Sequence, residues 1–300
     1  MIPPFPEFKK IELSDCKEVE LLTKGFPPYS DFNFVSMWSW DTRGETRVSL
    51  LNNNLVVRFN DYLSKEPFYS FIGLNKIENT ISVLADYSAT TGLGSKLKLI
   101  PEEIISQYSN QDFISIPDND NFDYVYNIAD FVSCEGKKYE TQRNQVNRFK
   151  KQNPNANIEI FTSFEVVREM ILLLEQKWKL NKIIQDKTIE FRSESEALRR
   201  IFDLIHDNFL TVCVFVDSEL VAFCVNELLD SDYAISHFAK ADVNYSGIYS
   251  FLLHETCIAL ADKGKNYLNY EQDLGLVYLR NSKSAFRPMT FLRKNIIVKQ

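Results

Sequence analysis

The sequence predicts an α/β chain of α+β type with two sheets, each mixed, mostly antiparallel and flanked by helices. Three features predict it. Short runs of alternating apolar and polar residues recur along the whole chain, the signal of strands. Between them lie segments with helical spacing, several opened by capping residues. Tight polar turns, such as Asn52–Asn53–Asn54 and Asp217–Ser218–Glu219, join strands closely enough for antiparallel pairing.

The second half carries the clearest order. "ANIEIF" alternates as a strand, and Thr162 to Glu165 reads as a capping box opening a helix through Ile171, Leu174 and Trp178. Ser193 to Glu196 reads as a second box, before "EALRRIFDLIHDNF". "TVCVFV", "LVAFCVNELL" and "YAISHFA" form a three-strand meander, followed by the helix "IYSFLLHETCIALAD" with Gly264 as its C-terminal cap. "NYLNY" is a strand, "LVYLRNSKSAF" a helix stopped by Pro288, and "MTFLRKNIIVK" a last strand. The first half repeats this order more weakly. Helices are expected at 14–24, 31–40 and 75–87 and from Pro101. Strands are expected at "TRVSL", "LVVRF", "PFYSFIG" and "KLKLI", and near Phe113 and Tyr124. The expected organisation is a domain over 1–136, a basic helix and Asn/Pro-rich linker over 137–155, and a second domain over 156–300.

Composition narrows the function classes. Three hundred residues, 45% hydrophobic, with 23 Phe and 14 Tyr against 9 Gly, suit packed globular domains. No apolar run approaches the roughly 20 residues of a transmembrane helix, and the start lacks the order of a signal peptide, so a cytoplasmic location is expected. The five cysteines are scattered without a CxxC pair, and Cys213, Cys224 and Cys257 lie in apolar runs, so they read as core rather than metal ligands. The net charge of −7 argues against general nucleic-acid affinity, yet Lys137 to Lys151 holds six bases against one acid, Glu140.

The element order resembles the GCN5-related N-acetyltransferase fold, in two copies. Three blocks, "PYSDFNFVSMWSW", "GKKYETQRNQVNRF" and "NYEQDLGLVYLRNSKSAFRP", resemble the bacterial family related to the C-terminal domain of phosphatidylglycerol lysyltransferase. That resemblance implies transfer of an aminoacyl group from the 3′ end of an aminoacyl-tRNA. The acceptor would be an amine or hydroxyl on a small molecule or lipid head group. Acetyltransferases of the fold hold coenzyme A on bare backbone at a Gln/Arg-x-x-Gly-x-Gly/Ala loop. Here the matching stretch is "NYSGIYS", with Asn244 standing at the Gln/Arg position, Gly247 at the first glycine and Tyr249 where Gly or Ala is wanted. No cofactor is therefore expected, Tyr249 disfavouring coenzyme A.

The candidate chemistry gathers in a few places. Glu271 and Asp273 share one side of an extended segment after Tyr270, either as a grip for a substrate ammonium or as a solvated strand end. Arg280 and Lys283 share a helix face, where they contact an anionic group or simply neutralise those acids. Lys138, Arg143, Asn144 and Asn147 lie on the basic helix, which reads as a solvated linker or as a reach into a shared cleft for phosphates. His237 alternates with apolar residues on the meander's last strand, as a core histidine or the best candidate general base. Tyr270 and Trp178 are candidate cleft walls, core packing being the alternative for Trp178. No Ser-His-Asp order, phosphate loop or dinucleotide motif is visible, which favours direct transfer between two bound substrates. An acyl-CoA N-acyltransferase and a non-catalytic small-molecule binding module are the competing readings. The amino acid, the acceptor and the oligomeric state are not legible.

Overall fold

The computed structural model describes residues 1–108, 112–185, 192–204 and 208–299, and the side chains of 182–185 and 192 are not considered. The part of the expected helix "EALRRIFDLIHDNF" at 205–207 lies outside the described residues.

Fourteen strands are described. They are β1 (Lys9–Lys10), β2 (Arg47–Leu51), β3 (Asn54–Asn60), β4 (Pro67–Ile72), β5 (Leu97–Pro101), β6 (Phe113–Pro117) and β7 (Asp123–Asn127). The second seven are β8 (Asn157–Phe161), β9 (Phe209–Val216), β10 (Glu219–Leu228), β11 (Tyr233–Ala241), β12 (Tyr267–Asn269), β13 (Thr290–Leu292) and β14 (Lys294–Lys299). They form two seven-stranded sheets, ordered β1-β2-β3-β4-β5-β14-β6 and β13-β7-β12-β11-β10-β9-β8. Each is mixed and mostly antiparallel with flanking helices, as expected: β4–β5 and β11–β12 are parallel pairs.

By its contacts the chain divides into two compact units. One holds residues 1–124, 272–282 and 291–300, and the other 125–271 and 283–290. These are not consecutive halves. β7, early in the chain, lies in the second sheet, and β14, last in the chain, lies in the first. The single terminal strand expected from "MTFLRKNIIVK" is accordingly two, β13 and β14, in different sheets. Propensity could not reveal this, because both pieces alternate alike.

In the first unit, helix Ile77–Thr90 lays Ile81, Leu84 and Ala85 on Val56, Phe71, Leu97 and Ile297. In the second, β9, β10 and β11 form the expected meander, and Asp217 and Ser218 make its first turn with φ of 49° and 69°. Helix Ile248–Asp262 begins and ends where the sequence places it, with Phe251, Leu252, Cys257 and Leu260 buried. Fully burying each of the Phe and Leu side chains contributes about 1.5–3 kcal/mol. Helix Arg168–Gln185 starts later than its expected capping box, since residues 165–167 form a turn. Cys213, Cys224 and Cys257 are buried, as their apolar runs suggested.

Candidate active site

The second unit brings its polar chemistry to one face of β10 and β11. Val225 pairs with Phe238 and Asn226 with Ser236, so His237 is the extra residue of a β-bulge. Bulges re-aim side chains, and here two neighbours, His237 and Phe238, face the same way. Alternation along β10 puts Phe223, Val225 and Glu227 on that face, and Lys240 joins it by pairing with Phe223. The parallel pairing of β11 with β12 ends at Ile235 and Asn269, and the strands part beyond it. His237 stands on β11 just past the parting, and Glu271 just past the end of β12.

The two are joined. His237 Nδ1 lies 3.2 Å from Glu271 Oε1, and His237 Nε2 lies 3.1 Å from Glu227 Oε2. The histidine side chain is 1% exposed, Glu227 4% and Glu271 16%, so only Glu271 opens the cluster to solvent. Burial works to lower the histidine pKa, but hydrogen bonds to Glu227 and Glu271, with their charge, outweigh it and push it up to about 9. His237 is therefore an imidazolium at neutral pH, with both nitrogens engaged. With both nitrogens engaged by carboxylates, His237 is placed to hold Glu227 and Glu271 rather than to take a proton from a substrate, the general-base role that its position on the strand suggested.

Glu271 is held by its own backbone. Its φ is 55°, an unusual conformation for a glutamate, and its N–H donates to Asn269 Oδ1 at 2.8 Å. One residue earlier, Lys283 Nζ donates to the Tyr270 carbonyl at 2.6 Å and sits 5.5 Å from the Tyr270 ring centre. Lys283 thus fastens the segment carrying Glu271, and the Tyr270 ring packs edge-on against Tyr126. Farther along the face, Lys240 Nζ lies 3.5 Å over the Trp178 ring and 2.5 Å from Glu194 Oε1. Trp178 Nε1 donates to the Tyr249 hydroxyl at 3.2 Å, so Trp178 is a half-buried polar bridge rather than plain core.

Other expectations fall elsewhere. Asp273 belongs to the first unit and receives Arg280 Nε at 2.8 Å, Arg280 Nη2 at 2.9 Å, Tyr124 OH at 2.6 Å and Gly275 N–H at 2.8 Å. Those donors fill its lone-pair directions and hold its carboxyl below the usual range despite burial. Asp273 is a loop anchor, not an ammonium ligand, and Arg280 neutralises it while also reaching Asp120 at 2.6 Å. Arg143 turns inward, donating to the Cys134 and Gly136 carbonyls at 2.7 and 3.2 Å. Lys138 lies 3.9 Å from Asp130, while Asn144 and Asn147 are exposed on helix Glu140–Gln152. Gly247 has φ of 85°, and a Cβ there would stand 2.3 Å from the Gln145 carbonyl oxygen. Its glycine lets a neighbouring backbone approach, whereas Tyr249 turns its hydroxyl to Trp178. A surface pocket of about 470 Å³, lined by Asn157, Glu159, Phe161, Met170 and Phe215 among others, contains none of the predicted residues.

Glu227, Asn269 and Lys240 escaped the sequence reading. The signal for Glu227 existed: the turn at 230–232 fixes the hairpin register, which puts Glu227 and His237 on one face.

Comparison with known proteins follows this geometry. A crystal structure of a protein of unknown function from Bacteroides thetaiotaomicron superposes with a TM-score of 0.85 over 100% of both chains at 23% identity. The structure of L-PGS from Bacillus licheniformis gives 0.64 at 13% identity, covering 97% of this chain and 94% of that one. An uncharacterized protein of Mycoplasmoides gallisepticum is 27% identical over 185 residues, which cover 59% of this chain and only 55% of that protein's length. The family model described as phosphatidylglycerol lysyltransferase, C-terminal, matches residues 25–297, and the chain belongs to that family.

Proposed function

We propose that this protein transfers an aminoacyl group from an aminoacyl-tRNA to an amine or hydroxyl acceptor, with Glu271 as the working carboxylate. The observation that carries the reading is His237 clamped between Glu227 and Glu271 where β11 and β12 part. Family membership supports the reaction class. The acceptor, a small molecule or a lipid head group, enters with its nucleophile against the Glu271 carboxylate. Its nitrogen or oxygen attacks the ester carbonyl of the donor, forming the new C–N or C–O bond. Glu271 takes the proton that the nucleophile sheds and returns it to the ribose oxygen as the ester C–O bond breaks. His237 stays protonated, holding both carboxylates in place and offsetting their charge. No covalent enzyme intermediate is needed.

Coenzyme A is no part of this reading. Where a pyrophosphate would need bare backbone donors, the Gln145 carbonyl, an acceptor, crowds Gly247. The test uses tRNA charged with labelled amino acids, incubated with the protein and an extract of small molecules and lipids. Extract-dependent loss of label from tRNA is expected, falling at least about 100-fold in Glu271→Gln. Equal release by the variant would remove Glu271 from the chemistry. Silence in the wild type, with tight coenzyme A binding, would replace the reading with acyl-CoA transfer.

A further inference from the structure

We infer that the outer face of helix Glu140–Gln152, with the turn before it, is a docking surface for the phosphate backbone of an RNA. The inference rests on the proposal that the donor is an aminoacyl-tRNA, and it assigns the surface that the donor would use. The helix has two opposed faces. Gln142, Val146 and Phe149 are buried, and Phe149 stacks on Phe251 with ring centres 4.4 Å apart. The opposite face carries Thr141, Asn144, Arg148 and Lys151, at the three- and four-residue steps that align side chains along one ridge, and Lys137 stands in the 3-10 turn that leads into the helix. Asn147 lies at its edge. All of these are exposed.

The structure also sorts the cations of this segment. Arg143 is spent on two carbonyls, Lys150 on Glu255 at 3.2 Å, and Lys138 stands near Asp130. Among the described residues, Lys137, Arg148 and Lys151 have no acidic partner. Arg148 Nη1 donates to Ser246 Oγ at 3.5 Å. One acid, Glu140, shares the exposed side. Three cations without an acidic partner therefore mark this face and the turn before it, on a chain whose net charge is −7.

Cations free of acidic partners suit phosphates, and the asparagines on this side of the helix can both donate to phosphate oxygens and meet ribose hydroxyls. An anionic membrane suits the face less well. Helices that lie on lipid present apolar side chains to it, and here the apolar side is buried within the unit while the outer face is polar throughout.

The test is binding of bulk deacylated tRNA by the full chain, measured by anisotropy between about 50 and 200 mM salt. In Arg148→Gln/Lys151→Gln, affinity is expected to fall and the slope of log K against log salt to shrink by about 1.5–2, as for two lost phosphate contacts. The charge-preserving Arg148→Lys/Lys151→Arg should keep the wild-type slope. So should Lys76→Gln/Lys96→Gln, which removes the same charge from exposed positions elsewhere. Circular dichroism checks that each variant is folded. An unchanged slope in the first variant would overturn the surface and leave the donor assignment standing, whereas a wild type that binds no tRNA would overturn both. Loss of binding to vesicles of phosphatidylglycerol and phosphatidylcholine, with tRNA binding intact, would hand the ridge to a membrane.

Discussion

Each unit buries one cation between two carboxylates, and the two clusters differ in a way that separates anchoring from chemistry. In the first unit Lys294 Nζ contacts Asp31 and lies 2.7 Å from Asp123 Oδ1, all three side chains being 0% exposed. Ser30 closes the cluster, its hydroxyl 2.6 Å from Asp123 and its N–H donating to the same carboxylate at 2.8 Å. In the second unit His237 stands between Glu227 and Glu271, and Glu271 is 16% exposed. The lysine cluster is sealed and its cation stays charged: burial lowers the Lys294 pKa, but Asp123 and Asp31 more than restore it. The histidine cluster likewise sets one cation between two carboxylates, but one side is open and the cation titrates at about 9. A sealed cluster can only hold strands together, whereas an open one can hand a carboxylate to a substrate.

The comparison breaks most visibly if the lysine cluster proves dispensable. Lys294→Met leaves two carboxylates buried without a counter-charge and is expected to cost about 3–5 kcal/mol in denaturant unfolding. Adding Asp31→Asn and Asp123→Asn should recover much of that loss, because the sealed site then holds no charge. Full stability of Lys294→Met alone would show that the network is not the anchor described.

The histidine cluster predicts a pH dependence instead. A folded pKa of about 9 against an ordinary 6.5 means that folding favours the protonated ring. The stabilisation is fully present below pH 6.5 and is lost as pH rises through about 9, on the order of 3 kcal/mol in total. Chemical denaturation across that window checks the size, and histidine NMR checks the midpoint. His237→Gln should flatten the window. A His237 midpoint near 6.5 would mean that the ring is not held by both carboxylates.

How much of this was legible depended on whether the partners were close in sequence. The strands of the meander, helix Ile248–Asp262 and the exposed asparagines of the basic helix follow from local periodicity and turn chemistry. Glu227 was within reach, because a hairpin of known register fixes which residues share a face. The cluster around Lys294 was not. Ser30, Asp31, Asp123 and Lys294 come from distant parts of the chain, and Lys294 reads locally as one more residue of an alternating strand. Asp273 failed for a related reason. Period-two alternation put it beside Glu271, but Glu271, Leu274 and Gly275 all adopt positive φ, and the extended geometry that alternation assumes ends there. Arg143 looked free because a helix pattern shows which way a side chain points along the helix, not which carbonyls wait at its end.

The smallest effect on stability should separate the two roles most cleanly. Glu227 and Glu271 both meet His237, yet Glu227 is 4% exposed and Glu271 16%. Glu227→Gln should cost about 2–3 kcal/mol at pH 7, since a buried charge-assisted hydrogen bond is weakened from within. Glu271→Gln should cost only about 1 kcal/mol, because solvent already shares its load and Asn269 still holds the backbone turn. Both variants should lower the His237 midpoint, since each removes one of the two carboxylates that raise it. Transfer activity should then divide them the other way, with Glu271→Gln losing far more than its stability loss explains. If the two variants lost stability and activity in step, Glu271 would be an anchor like Asp123, and the open side of the cluster would carry no chemistry.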